Sequence, residues 1–297
     1  MDLEALRIFI KVAELASFTR AAEHLGIPKA RVSLQVKALE AELDIHLLQR
    51  TTRSVRPTPD GEQLLVRARR LVSDSEELEA MFQSSKALHG VVRLDTPVNL
   101  ARDVLVPRLP EFLARHPLIE LQLSTTDRRV DILREGFDVV LRVGALADSG
   151  LMSKRLGEMA MTNVASVAYL RSRGAPRTPE ELDQHLLVNY AGTFGAEPPE
   201  FEWVQGGQTF TRQMRASITV NNVDAYHAAC LAGLGIIQCP RRGVARDLAA
   251  GTLVEVLPQF VCAPLPVSLI HAHGRTVPKR VRAVMAWVTE LVQPGLS

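Results

Sequence analysis

A chain of 297 residues is longer than one hydrophobic core usually spans, so two or three domains are expected. Hydrophobic residues at 46% and charged residues at 23% are globular proportions and exclude a disordered chain. A net charge of +2 excludes a polycation, so any nucleic-acid surface must be a local patch.

Leu3, Leu6, Phe9, Ile10 and Ala13 recur at helical spacing and predict a first amphipathic helix. Ser17 and Thr19 follow as candidate N-caps, Ala21, Ala22 and Leu25 form a short apolar stripe, and Gly26 stops that helix. Pro28 suits the first turn of a third helix whose buried face is Val32, Val36, Leu39 and Leu43. Short helix, tight turn and longer helix make a helix-turn-helix. The outward positions expected on the third helix are Lys29, Arg31, Ser33, Gln35 and Lys37. Cationic side chains there reach phosphate or guanine, and an amide reads adenine, so the helix fits a major groove. On an isolated helix the same residues would be an ordinary solvated face, and the preceding helix and turn favour the DNA reading.

Arg50, Arg53 and Arg56 follow Leu47 and Leu48, with no acid between Leu47 and Thr58. A basic, hydroxyl-bearing loop of this kind reads as a β-wing for phosphate contact. Residues 1–90 hold thirteen Lys and Arg against thirteen Asp and Glu, so the region is neutral as a whole. Its cations nevertheless gather on the proposed DNA-facing elements, with Arg20, Lys29, Arg31 and Lys37 against Glu23 alone over residues 19–39. Thr58 then caps a helix that begins at Pro59. Leu64, Ala68, Leu71, Ser75, Leu78 and Phe82 follow at alternating spacings of four and three, a heptad seam. Such a seam packs either on a partner copy, pairing two DNA-binding heads on a two-fold operator, or on its own head.

These residues resemble the LysR-type transcriptional regulators. The likeness is carried by the run Leu3–Leu65, through Ser-Phe-Thr, Ala-Ala, Val-Ser, Lys-Ala-Leu-Glu, Arg-Thr-Thr-Arg and Thr-Pro-Asp-Gly in the family's order. Pro28 stands where the family often has a serine cap, and Leu34 where it often has a polar or basic residue. Both departures bear on the operator sequence. Thr19, Lys29, Arg31, Ser33, Gln35, Lys37, Arg50 and Arg53 are the expected DNA-binding residues, and Leu64, Ala68, Leu71, Leu78 and Phe82 the expected dimerisation residues.

Beyond residue 90, strands and helices alternate, predicting an α/β domain with mainly parallel sheets. Val91–Asp95, Ile119–Ser124, Asp138–Val143, Leu186–Tyr190, Ile218–Val220, Ile236–Cys239 and Leu269–His271 read as strands. Leu100–Arg115, Val130–Glu135, Val223–Leu234 closed by Gly235, and Val281–Val292 read as helices. Gly206-Gly207 between Phe201–Val204 and Thr209–Arg212 reads as a hairpin turn. The resemblance implies a fold class of α+β multidomain type: a winged helix-turn-helix with a long linker helix, then a two-subdomain effector domain like the periplasmic binding proteins. It implies a DNA-binding domain at 1–58, a linker at 59–89 and an effector domain at 90–297. Within the last, one subdomain covers about 90–162 and 267–297, the other about 163–266, joined by two crossing strands with the ligand between.

Open α/β sheets bind ligands beyond the carboxyl ends of their strands, and helix starts there favour anions. Thr96, Pro97 and Asn99 follow the first strand, Arg142 and Val143 end another, and Asn222 and Val223 begin the second subdomain's helix. Together they predict a small organic anion as effector, although each of these residue types also serves caps and turns.

Cys230, Cys239 and Cys262 lie far apart without a CxxC pair, which fits buried structural thiols in a reducing compartment rather than a disulfide framework or zinc site. The eight histidines show no metal spacing, and His271 and His273 read as structural. No apolar stretch is long enough to span a membrane, and the Asp2 and Glu4 start is unlike a signal peptide. A cytoplasmic homodimer or homotetramer that binds a dyad-symmetric operator is expected, with no cofactor, metal or membrane and with RNA polymerase as a further partner. The competing classes are a solute-binding protein without gene control, against which residues 1–90 argue, and an α/β enzyme. No nucleophile–base constellation or cofactor loop supports the enzyme.

Overall fold

The computed structural model describes residues 2–50, 55–82, 87–146, 150–195, 198–273 and 277–297. They form two units: Met1–Ala87 with Asp131–Gly136, and Leu88–Val130 with Phe137–Ser297.

The first unit is built on α1 (Leu3–Leu15), α2 (Phe18–Leu25) and α3 (Lys29–Leu43). Each start and stop has a local cause. Asp2 accepts from Glu4 N at the head of α1, and Ser17 accepts from Arg20 N at the head of α2. Gly26 ends α2 in the left-handed region. Ser17, not Thr19, is the cap of α2, and Pro28 precedes α3 in extended conformation instead of opening its first turn. The chain then forms β1 (Leu48–Arg50) and β2 (Val55–Pro57), paired antiparallel, before α4 (Pro59–Phe82). Leu6, Phe9, Val32, Val36, Leu39, Leu47 and Ala68 are fully buried in one apolar cluster.

Two polar groups fix the wing to this core. The Glu40 carboxylate accepts from Leu47 N and Leu48 N at 2.8 and 3.2 Å. Thr58 Oγ1 accepts from Gly61 N at 3.0 Å, capping α4, and donates to the His46 carbonyl at 2.6 Å. Helix α4 passes so close to the wing that a Cβ on Gly61 would penetrate the Leu47 carbonyl oxygen. Glycine is required there by the approach of two backbones, not by its own dihedrals.

The second unit begins with β3 (His89–Thr96), followed by a short α5 (Val98–Leu100). The sequence predicts one helix over Leu100–Arg115, but the segment is broken: a wide turn at Ala101–Leu105 and a tight one at Val106–Arg108 precede α6 (Leu109–Arg115). Pro107 and Pro110 explain this, because neither has an N–H for the regular helical ladder. Then come β4 (Leu118–Thr125), the one-turn α7 (Ile132–Glu135) grouped with the first unit, β5 (Val139–Val143), β6 (Met152–Met159) and β7 (Met161–Ser166). The chain continues through α8 (Val167–Arg173), β8 (Leu186–Tyr190), β9 (Glu200–Gln205), β10 (Gln208–Gln213), β11 (Arg215–Val220) and α9 (Val223–Leu231). It closes with β12 (Ile237–Pro240), α10 (Ala245–Ala250), β13 (Leu253–Glu255), β14 (Leu265–His271) and α11 (Lys279–Val292).

One subdomain holds a five-stranded sheet of order β4-β3-β5-β14-β6. Its core joins Val92, Leu94, Leu141 and Leu269 to Val284, Trp287 and Val288 of α11. The other holds β12-β7-β13 and the β8–β11 pair, with α9 packed through Tyr226, Ala229 and Cys230. The passages between them fall at Ala160, between β6 and β7, and over residues 256–264, between β13 and β14. The expectation of mainly parallel sheets needs correction. β3 pairs parallel with β4 and β5, and β8 with β11, but β14 is antiparallel to both neighbours and β7 is antiparallel to β12 and β13. The strands that carry the chain between subdomains run back against the βαβ direction. Helix α9 also ends earlier than predicted. Gly233, at φ +83°, turns the chain, whereas Gly235 is needed because a Cβ would strike the Leu186 carbonyl oxygen.

Two outcomes follow for stability. Gly61→Ala should cost about 2 kcal/mol or more by overpacking, lowering the melting midpoint of the isolated residues 1–87 by about 10 °C; an unchanged midpoint would show that α4 can retreat from the wing. The second concerns the cysteines. Burial pushes the Cys262 thiol up to about 11 and the Cys230 thiol up to about 12, and raises Cys239 as well. In the unfolded chain these thiols ionise near about 8.5. The folded form therefore keeps protons that the unfolded form releases, and stability falls as pH rises above that value. The urea midpoint should decline from pH 8 to 10.5, less steeply in Cys262→Ala; equal slopes would remove that thiol from the account.

Candidate DNA interface and effector site

Helix α3 buries Val32, Val36 and Leu39, and the helical period decides what its opposite side presents. Lys29, Arg31 and Lys37 are exposed, whereas Ser33 and Gln35 are half-buried on the flanks. The alternate spacing expected for the outward residues is therefore corrected. The row directly opposite the buried face is Ala30, Leu34, Ala38 and Ala41, all exposed, with Leu34 at 67%. Lys37 and Arg31 border this apolar row. An α-helix carrying small apolar side chains between cations fits thymine methyl groups as well as phosphates. Thr19 is exposed in the first turn of α2. Arg50 lies in β1 opposite Val55, its side chain outside the described part, and Arg53 lies outside the described residues. Arg56, which pairs across the wing with Gln49, is exposed.

The heptad stripe of α4 divides. Ala68 is completely buried in the head's own core and Leu64 packs against it, so neither is free for a partner. Helix α1 lies against this part of α4 and takes up that face. Leu71 and Leu78 remain exposed, at 44% and 60%. The Phe82 side chain is outside the described part.

In the second unit, parallel pairing of β3 with β4 sets Thr96 beside Thr125 and brings the residues after both strands to one edge. Thr96 is fully buried, and its hydroxyl has no hydrogen-bond partner among the described residues. Pro97 and Asn99 are half-buried beside it. Asp127, which the sequence reading missed, follows on the next loop. Its carboxylate accepts from Val98 N at 3.3 Å and from Val223 N at 2.8 Å. Val98 opens α5 in one subdomain and Val223 opens α9 in the other. Asn222 fills the rest of the α9 start, accepting from Asp224 N and Ala225 N. The N–H groups of Val223, Asp224 and Ala225 at this helix start, where an anion was expected, are thus already satisfied from within the chain.

Arg142 is corrected likewise. Its guanidinium lies 2.7 Å from the Asp95 carboxylate, which is fully buried and also accepts from Thr126 Oγ1. A buried carboxylate needs a paired cation, and Arg142 is that cation. Val143 packs against the apolar core of its subdomain.

Around Asp127, burial together with its charge pushes the Tyr190 hydroxyl up to about 12, so it stays protonated and able to donate. Tyr190 meets Tyr226 edge-on at 5.4 Å, and Tyr226 carries His227 stacked on it. Burial lowers the His227 pKa, and its Nε2 is buried without a partner among the described residues. Gly243 leaves space there: a Cβ would lie 3.2 Å from His227 Cε1 and 4.0 Å from Asn99 Nδ2. The edge thus gathers Thr96, Asn99, Asp127, Tyr190 and His227 from two subdomains. Nearby, Arg102 of the first subdomain pairs with Asp224 of the second at 2.6 Å. The described residues hold no cluster able to bind a metal, and none of their helices is long and apolar enough to cross a membrane. A strand order could have revealed Asp127, since a parallel neighbour of β3 must deliver its own end to the same edge.

Comparison with known proteins fits both halves. Residues 3–62 match the bacterial regulatory helix-turn-helix protein model of the lysR family, and residues 85–293 match the LysR substrate binding domain. The chain is 44% identical over 99% of both lengths to an HTH-type transcriptional regulator, YhjC, of Escherichia coli. It is 38% identical, over 97% of this chain and 92% of the other, to the HTH-type transcriptional repressor PA14_22550 of Pseudomonas aeruginosa. The solved structure of CrgA, a LysR-type transcriptional regulator from Neisseria meningitidis, superposes with a TM-score of 0.61 at 28% identity, covering 98% of each chain. With a DNA-binding helix-turn-helix and an effector-binding α/β domain in this order, the chain belongs to the LysR family of transcriptional regulators and is not an enzyme.

Proposed function

We propose that this regulator acts in the cytoplasm as a homodimer or homotetramer on a dyad-symmetric operator, and that a small organic anion held between its effector subdomains changes that binding. A change in head spacing or DNA bend would then alter the promoter or its contact with RNA polymerase. The observation that carries the DNA reading is the outer side of α3, with exposed Lys29, Arg31 and Lys37 flanking Ala30, Leu34 and Ala38. Phosphate contacts supply affinity, and the apolar row supplies discrimination at base edges. The effector reading is supported by the buried Thr96 hydroxyl, which has no partner among the described residues, and by Asn99, Tyr190 and His227 gathered beside two helix starts. Pairing of copies is supported by Leu71 and Leu78, exposed seven residues apart on α4. Two such leucines cover each other across a pair of helices.

Selection of bound fragments from random genomic DNA by the purified full chain should enrich a dyad-symmetric site. Recovery of sequences with no shared element would overturn the operator reading. In the same assay Leu34→Asn should change the preferred base at one position of each half-site. The salt dependence should stay the same, because no phosphate contact is removed. An unchanged site would take Leu34 out of the groove. The double variant Leu71→Glu with Leu78→Glu should shift the mass in light scattering towards the monomer and lose the preference for paired half-sites. An unchanged mass would place the pairing surface elsewhere.

A further inference from the structure

We propose that Asp127 is a built-in clasp of the effector domain: its carboxylate ties the two subdomains together in the absence of effector, and an acidic effector works by taking its place. This rests on the reading of the Thr96–Tyr190 edge as the effector site.

The geometry is specific. One carboxylate oxygen takes the Val98 N–H of the first subdomain and the other takes the Val223 N–H of the second. The chain connects these subdomains only through Ala160 and residues 256–264, so contacts across the seam govern how freely they turn on each other. A half-buried carboxylate joined to a nine-residue helix start gains from charge-assisted hydrogen bonds and from the helix dipole. The Arg102–Asp224 ion pair crosses the same seam independently, but both its partners are exposed, so water competes with it. Asp127 is therefore the stronger of these two polar links.

The same geometry bears on the effector. Asp127 places a carboxylate against the two N–H groups that a ligand acid group would seek, so a ligand acid and Asp127 exclude each other there. The hydroxyl of Thr96, buried and unpartnered at the end of the adjacent strand, adds a polar group that Asp127 does not satisfy. A ligand that reached Val98 N–H, Val223 N–H and Thr96 together would make contacts that the clasp alone leaves unmade.

The test is chemical rescue in the full-length protein. Asp127→Ala removes the carboxylate, and formate is that missing group as a free ion. The thermal midpoint of the effector domain should fall by about 10 °C, the loss of two charge-assisted hydrogen bonds. Sodium formate at 100 mM should restore at least half of the loss relative to the same concentration of sodium chloride, and leave the wild type unmoved. A midpoint equal to wild type, or a loss that formate and chloride repair equally, would overturn the clasp. If Asp127→Ala does not fold, Asp127→Asn carries the test. It keeps one acceptor oxygen but sets an amide NH2 against the other N–H, so it should lose at least half as much, whereas no loss would overturn the clasp. Rescue needs neither DNA nor the natural effector, so a failed clasp leaves the operator selection to stand or fall by itself.

Discussion

The first N–H groups of a helix cannot be satisfied by the helix itself, and much of this structure follows from how the chain supplies their partners. In the head, Ser17 and Thr58 do so locally, from the position where a sequence reading looks for a cap. Thr58 does more than cap: by also bonding the His46 carbonyl it sets the start of α4 against the wing, where only a glycine at 61 allows the approach. In the effector domain the same requirement is met locally by Asn222 and at long range by Asp127, ninety-six residues from Val223. A cap that reaches across a subdomain boundary is no longer only local chemistry, because satisfying the helix and joining the subdomains become one interaction.

How far the sequence can be read follows from this division. The helix-turn-helix was legible because caps, stops and the apolar period all lie within a few residues of one another. The outward side of α3 is harder to read, because Lys29, Arg31, Ser33, Gln35 and Lys37 stand at alternate positions, a spacing that suits a strand. At 100° per residue the opposite row is Ala30, Leu34 and Ala38, and Ser33 and Gln35 turn towards the flanks. The seam on α4 was legible as a heptad, but its owner was not. Ala68 and Leu71 look alike in periodicity, and only packing against α1 assigns the first to the head.

The ends of strands were legible in sequence, and the charges beside them were not. Thr96 and Asn99 lie at the edge these ends form, yet the two charges that define it arise from pairings between distant segments. Arg142 reads as a free cation until Asp95, forty-seven residues earlier, is found against it. The Asp95–Arg142 pair is itself instructive. With the carboxylate wholly buried, removing Arg142 would strand a charge among apolar residues, so the pair is a structural unit. The groups gathered beside this pair are mostly neutral: the hydroxyls of Thr96 and Tyr190, the Asn99 amide and the neutral imidazole of His227.

That inventory constrains how a small acid can act as a signal. A carboxylate held in place by the fold competes at an effective concentration far above that of a free one, so a free acid that offered only its carboxylate would displace Asp127 poorly. The difference in free energy between the two states must come from the rest of the molecule. To move the domain from one per cent to ninety-nine per cent effector-bound geometry, that difference must approach about 5.5 kcal/mol. The neutral donors around Tyr190 and Thr96 are the groups able to supply it, because each gains a partner on binding that Asp127 does not give it. Discrimination among acids then rests on the body of the ligand, with the carboxylate common to all of them and already represented by the protein's own. If Asp127 is the clasp proposed above, the regulator would ignore simple carboxylates and would respond only to an acid whose remaining surface matches the edge.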